Sequence, residues 1–157
     1  MDAPEALVLV FRVLACTAAT PVVAGLRCRP LASLLPADDV LLPLRGVVRP
    51  ALPLLDLAYL LATTPGEGEV ALELTIGGTR VAFLVEASLD LLALPGAPRP
   101  LPALLRAAVP HADCWRALPH GDRVLPLLDL AGLLTPAQAA HYGQQAAALL
   151  AARGTAR

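Results

Sequence analysis

The sequence predicts an all-β fold made of two similar small substructures, with one helix at the C-terminal end. Three observations predict it. A ten-residue segment occurs twice, an alternating pair of strands flanks a Gly-Gly turn, and a helix-capping signature opens an alanine-rich tail.

The repeat is the most informative of the three. Leu52-Pro53-Leu54-Leu55-Asp56-Leu57-Ala58-Tyr59-Leu60-Leu61 returns 73 residues later as Leu125-Pro126-Leu127-Leu128-Asp129-Leu130-Ala131-Gly132-Leu133-Leu134, differing only at Tyr59 and Gly132. Nine matches in ten, spanning a Pro and an Asp, point to two related substructures rather than to leucine richness.

Taken in order, residues 7–11 form a short apolar run that predicts an opening strand, and residues 20–26 predict a second. Residues 34–39 read as a loop because Pro36 and the Asp38-Asp39 pair interrupt the pattern. Each repeat copy then reads as a strand ending at Asp, followed by a helical turn whose free N–H groups the carboxylate caps. Asp56 and Asp129 are therefore structural caps. Pro53 and Pro126 lack the amide a ladder needs, which places these strands at an edge or starts them at the proline.

The clearest hairpin follows. Val70, Leu72, Leu74 and Ile76 alternate with Ala71, Glu73 and Thr75, Gly77-Gly78 supplies the positive φ of a two-residue turn, and residues 80–85 return as the partner strand. Four prolines make residues 94–102 an extended loop, and residues 118–123 form a turn leading into the second repeat copy. Thr135 then caps a helix with Pro136 at its first position and Gln138 reaching back, running to about Arg153 where Gly154 ends it.

Composition excludes several classes. The 157 residues allow one compact unit or two very small barrels sharing a core, and a hydrophobic content of 57% against 16% charged excludes disorder for most of the chain. A net charge of -1 gives no field to draw in a phosphate backbone, so nucleic acid is an unsuitable partner. The mean hydropathy of +0.65 raises the question of a membrane span, which needs about 20 unbroken apolar residues. Arg12, Pro21 and Arg27 break the first apolar stretch, and Gln138, His141, Gln144 and Gln145 give the last one a polar face. No membrane insertion is expected.

Asp2, Glu5 and Arg12 argue against a secretion signal ending at Cys16, and three cysteines without a framework spacing agree with a reducing cytoplasm. The only cluster with metal-ligand spacing is His111, Cys114 and His120, one ligand short of a structural zinc site. Neither a metal nor a cofactor is expected, and a small zinc enzyme is the remote alternative. Glu86 and Asp90 resemble an acid pair, but they follow a strand and read as solvent-facing or capping groups. Trp115 reads as core or, if exposed, as an interface anchor.

The order of elements resembles the CheW-like family, the couplers that link chemoreceptors to their histidine kinase. The resemblance covers residues 7–135 and is carried by the opening strand, Leu35-Pro36, Leu44-Arg45-Gly46, Pro53-Leu54-Leu55-Asp56-Leu57, the hairpin ending at Val85-Glu86, the Pro-rich stretch, and Leu127-Leu128-Asp129-Leu130. Leu44-Arg45-Gly46 stands three residues further from Pro53 than in the family, so the turn is either that tripeptide or Gly46-Val47-Val48-Arg49. Glu86 stands where the family has Asp, and the stretch after the first strand lacks the family's polar, Gly-rich hairpin.

That resemblance implies two SH3-like five-stranded β-barrel subdomains packed together. Residues 1–135 form one domain, with approximate halves 7–65 and 66–135 between which strands cross, and residues 136–157 are a helix and tail. It implies no catalysis, and partner binding at Arg45, Gly46, Val47, Val48 and Arg49, the turn arginine being either Arg45 or Arg49. The implied partners are a histidine kinase regulatory domain and the cytoplasmic tip of a chemoreceptor, in homo- or hetero-oligomeric rings at membrane-associated arrays. A diverged scaffold of a motility, pilus or polar-localisation system is the alternative.

Overall fold

The computed structural model describes residues 6–34, 44–48, 52–94 and 96–155. Alternation of apolar residues with turn residues produces eleven strands there. They are β1 (Leu7–Val13), β2 (Cys16–Pro21), β3 (Arg27–Pro30), β4 (Leu44–Val48), β5 (Leu52–Asp56), β6 (Val70–Ile76), β7 (Thr79–Val85), β8 (Ala87–Ala93), β9 (Arg99–Pro100), β10 (Trp115–His120) and β11 (Arg123–Leu128). Three α-helices join them: α1 (Leu57–Ala62), α2 (Ala103–Ala108) and α3 (Pro136–Thr155). Loop residues 35–39 of the sequence reading lie outside the described residues.

The strands form two sheets. The six-stranded sheet has the order β8-β1-β2-β11-β10-β9 and the five-stranded sheet the order β3-β6-β7-β5-β4. Both halves of the chain, 7–65 and 66–135, supply strands to both sheets. The sixth strand is β9, a two-residue pairing of Arg99 and Pro100 with Ala117 and Arg116, inside the stretch read as wholly irregular. Proline is tolerated there because β9 is an edge strand.

Three apolar clusters explain why the sheets curl and pack. Val8, Val10, Ala19, Leu118 and Leu127 meet on one face of the six-stranded sheet, and Leu52, Leu54, Ala71, Ala82 and Leu84 on one face of the five-stranded sheet. An interior lined by one sheet's own strands requires that sheet to wrap, which gives two SH3-like subdomains. The opposite faces share the largest cluster, in which Leu9, Phe11 and Leu128 join Leu55, Leu72, Phe83 and Val85. Ala139 and Ala146 of α3 close this shared core, small side chains that let the helix lie near β4, β5 and β7.

Both repeat copies occupy matching places. Leu54 pairs in parallel with Ala82 of β7, and the equivalent Leu127 pairs in parallel with Ala19 of β2. Contrary to the expectation of edge strands, β5 and β11 are interior. Pro53 and Pro126 stand one residue before these parallel pairings begin, where no amide is needed.

The hairpin and the helix cap form as the sequence reads. Gly77 and Gly78 both adopt positive φ, at 56° and 83°, between β6 and β7. The Thr135 N–H donates to Gln138 Oε1 at 2.9 Å, and the Gln138 N–H donates to Thr135 Oγ1 at 3.1 Å, a reciprocal capping box.

Candidate functional site

Asp56 caps α1 as expected. It is buried, its Oδ1 accepts the Tyr59 N–H at 3.4 Å, and its Oδ2 accepts the Gly66 N–H at 3.0 Å. Asp129 does not repeat this role, although its backbone is nearly the same, with φ -79° and ψ 92° against -79° and 105°. The Gly132 N–H, equivalent to that of Tyr59, is taken by Asp129's own carbonyl at 3.1 Å in a short 3-10 turn. The Asp129 side chain is left exposed and makes no capping bond.

The turn expected around Leu44-Arg45-Gly46 is also corrected. Residues 44–48 are strand β4, at an edge of the five-stranded sheet, and the register shifts between Leu44 and Gly46, where Arg45 sits. Pairing of Gly46, Val47 and Val48 with β5 fixes this strand. Arg49 lies outside the described residues.

His111, Cys114 and His120 are not gathered into one site. The ring Nε2 of His111 lies 3.2 Å from the Leu60 carbonyl, the Cys114 thiol donates to the Gly132 carbonyl at 3.3 Å, and His120 is exposed beside the β10–β11 turn. Burial, then the Asp129 and Asp113 carboxylates, push the Cys114 thiol above its ordinary range, against the opposing effect of Arg116. A thiol held protonated is a poor nucleophile and a poor metal ligand. Glu86 and Asp90 are likewise not a pair: Glu86 Oε1 accepts the Ala15 N–H at 3.0 Å, while Asp90 Oδ1 accepts the Leu91 N–H at 2.8 Å.

The structure instead builds a groove of about 240 Å³ where the two subdomains meet. The β1–β2 hairpin supplies Val13, Leu14, Cys16, Thr17 and Ala18, and Leu61 reaches in from α1. Val109 and Pro110 after α2, Trp115 of β10 and Pro126 of β11 complete the wall. No charged side chain lines it among the described residues. Trp115 is half-buried, and its shielded indole N–H finds no acceptor among the described residues.

A second depression of about 310 Å³, lined by Pro21, Pro98, Asp113, Cys114, Arg116, Leu127 and Asp129, is charged. Edge strand β8 adds an apolar margin, with Leu89 51% and Leu91 57% exposed.

No protein-family model and no curated protein matches the chain. Its three-dimensional structure is similar to a crystal structure of the scaffolding protein TtCheW from Thermoanaerobacter tengcongensis, with a TM-score of 0.66. The sequences are 11% identical, and the match covers 84% of this chain and 89% of that one.

The chain has a CheW-like fold.

Within this CheW-like fold the groove sits where Leu61 of α1 meets the six-stranded sheet's β1–β2 hairpin. Of its residues, the sequence marked only Trp115 as a candidate interface anchor; Cys16, Leu61 and Pro126 carried other readings. Leu14 and Val109 gave no signal, because an apolar residue lining a groove has the same letter as one in the core. No helix is long and apolar enough to cross a membrane among the described residues.

Proposed function

We propose that the chain is a cytoplasmic, non-enzymatic chemosensory scaffold that links the cytoplasmic tip of a receptor to a histidine kinase regulatory domain. The observation that carries this reading is the uncharged groove between two SH3-like subdomains of a CheW-like fold. A groove lined by no charged side chain works by shape. It suits the apolar stripe of a helical receptor tip, which docks as a row of anchors one helical turn apart. The open edges suit a second β-rich domain: β8 presents unpaired backbone groups beside Leu89 and Leu91, which fits a kinase regulatory domain and the building of rings at receptor arrays. Residues 45–48 of edge strand β4 belong to this proposal as a second contact, together with Arg49.

The experiment is binding of separately purified receptor tip and kinase regulatory domain to the intact chain and to two groove variants. Leu14→Asp puts a carboxylate on the groove wall, and Trp115→Ala removes its largest side chain. Each is expected to weaken the receptor tip at least tenfold, about 1.4 kcal/mol, with kinase-domain binding unchanged. Equal receptor affinity in all three proteins would reject the groove as the docking site.

A further inference from the structure

We propose that Glu86 is a positioning residue that sets the rim of the groove, by holding the β1–β2 turn in a conformation its own residues disfavour. The inference rests on the groove being the docking site.

Val13 pairs with Cys16, so only Leu14 and Ala15 make the turn. Both have left-handed backbones, with φ of 52° and 58°. A two-residue hairpin needs such a turn to match the twist of its strands, but the residues suited to it are Asn, Asp and Gly. With leucine and alanine, each Cβ crowds the following carbonyl. Neither residue explains why the turn is tight.

A contact 71 residues away explains it. The Ala15 N–H donates to Glu86 Oε1 at 3.0 Å, and Glu86's own N–H donates to the Arg12 carbonyl at 2.9 Å. Glu86 stands between Val85, the last residue of β7, and Ala87, the first of β8. It is the single residue by which the chain leaves the five-stranded sheet for the six-stranded one. Its backbone is fixed by both sheets, and its carboxylate transmits that position to the turn. Leu14 and Cys16, on either side of the latched amide, both line the groove. Release of the Ala15 amide therefore moves the groove wall.

The test reads the turn without any partner. In the full chain carrying Cys28→Ser and Cys114→Ala, Cys16 is the sole thiol, and its alkylation rate follows the rim. Hydrogen exchange of the Ala15 amide follows the latch itself. Glu86→Ala is expected to speed Ala15 exchange at least tenfold and to change Cys16 alkylation severalfold, whereas Glu86→Gln, which keeps an acceptor oxygen, stays within about threefold of the parent. Introducing Leu14→Asn with Ala15→Gly gives a turn that needs no latch, so Glu86→Ala in that background should alter Cys16 alkylation less than twofold. Unchanged Ala15 exchange in Glu86→Ala, or equal effects of Glu86→Ala in both backgrounds, would overturn the latch. Receptor-tip affinity is measured last: a loosened turn that binds the tip as well as the parent would instead overturn the groove as the docking site.

Discussion

Gly66 donates its amide to the buried Oδ2 of Asp56 at 3.0 Å, tying the loop after α1 back to the end of β5. Asp129, its partner in the repeat, is exposed and caps nothing. Identical letters in a repeated segment thus carry different energies. Asp56→Ala removes the α1 cap and the charged bond to the Gly66 amide, an expected loss of about 2–4 kcal/mol from the two effects together. Asp129→Ala should cost less than about 0.5 kcal/mol. Chemical denaturation of the two variants checks the contrast, and equal losses would refute it.

The two glycines of the β6–β7 turn also differ. A Cβ on Gly77 would lie 2.5 Å from Pro136 Cβ and 3.0 Å from Pro136 Cα, whereas one on Gly78 would meet nothing within 4 Å. Both substitutions carry the positive-φ cost of about 1–2 kcal/mol. Gly77→Ala must in addition push the first turn of α3 away from the sheet. Its melting temperature is expected to fall clearly further than that of Gly78→Ala, and equal falls would show that α3 does not rest on this turn.

The amount of this fold legible in the sequence follows from which residues mark its turns. The β6–β7 hairpin, the α3 capping box and the paired Asp-ended strands all carry residues chosen for backbone reasons: Gly-Gly, Thr-Pro-x-Gln, Leu-Leu-Asp. The β1–β2 turn carries Leu14-Ala15, which reads as continuous apolar chain, because its conformation is held by Glu86 from elsewhere. Short β4 looked like a turn because Arg45 and Gly46 mark a register shift within a strand. Helix α2, six residues between Pro102 and Val109 with Leu104 84% exposed, was hidden by the prolines around it. The groove was the least legible part, being a property of distant surfaces brought together.

Thiol chemistry separates the three cysteines. Cys16 and Cys28 are exposed, whereas Cys114 is half-buried beside Asp129 and Asp113. With its thiol raised above the ordinary range by burial and by the two carboxylates, Cys114 holds little reactive thiolate at neutral pH. Half-buried where the other two are exposed, it should be alkylated slowest of the three at neutral pH, and its rate should rise as the pH is raised. Asp129→Asn removes one charge opposing ionisation, so the Cys114 profile should move to lower pH. Rates read by mass spectrometry decide this, and a Cys114 profile that Asp129→Asn leaves unmoved would contradict it.

The central claim is that this chain joins two other proteins without transforming either. Receptor tips displayed on vesicles, mixed with a histidine kinase and then sedimented with and without the chain, test it most directly. Coupling predicts that the kinase pellets with the vesicles only when the chain is present, with half-maximal recruitment at micromolar chain and loss in Leu14→Asp. Kinase that stays in the supernatant at tens of micromolar chain, or that pellets equally well without it, would contradict the account.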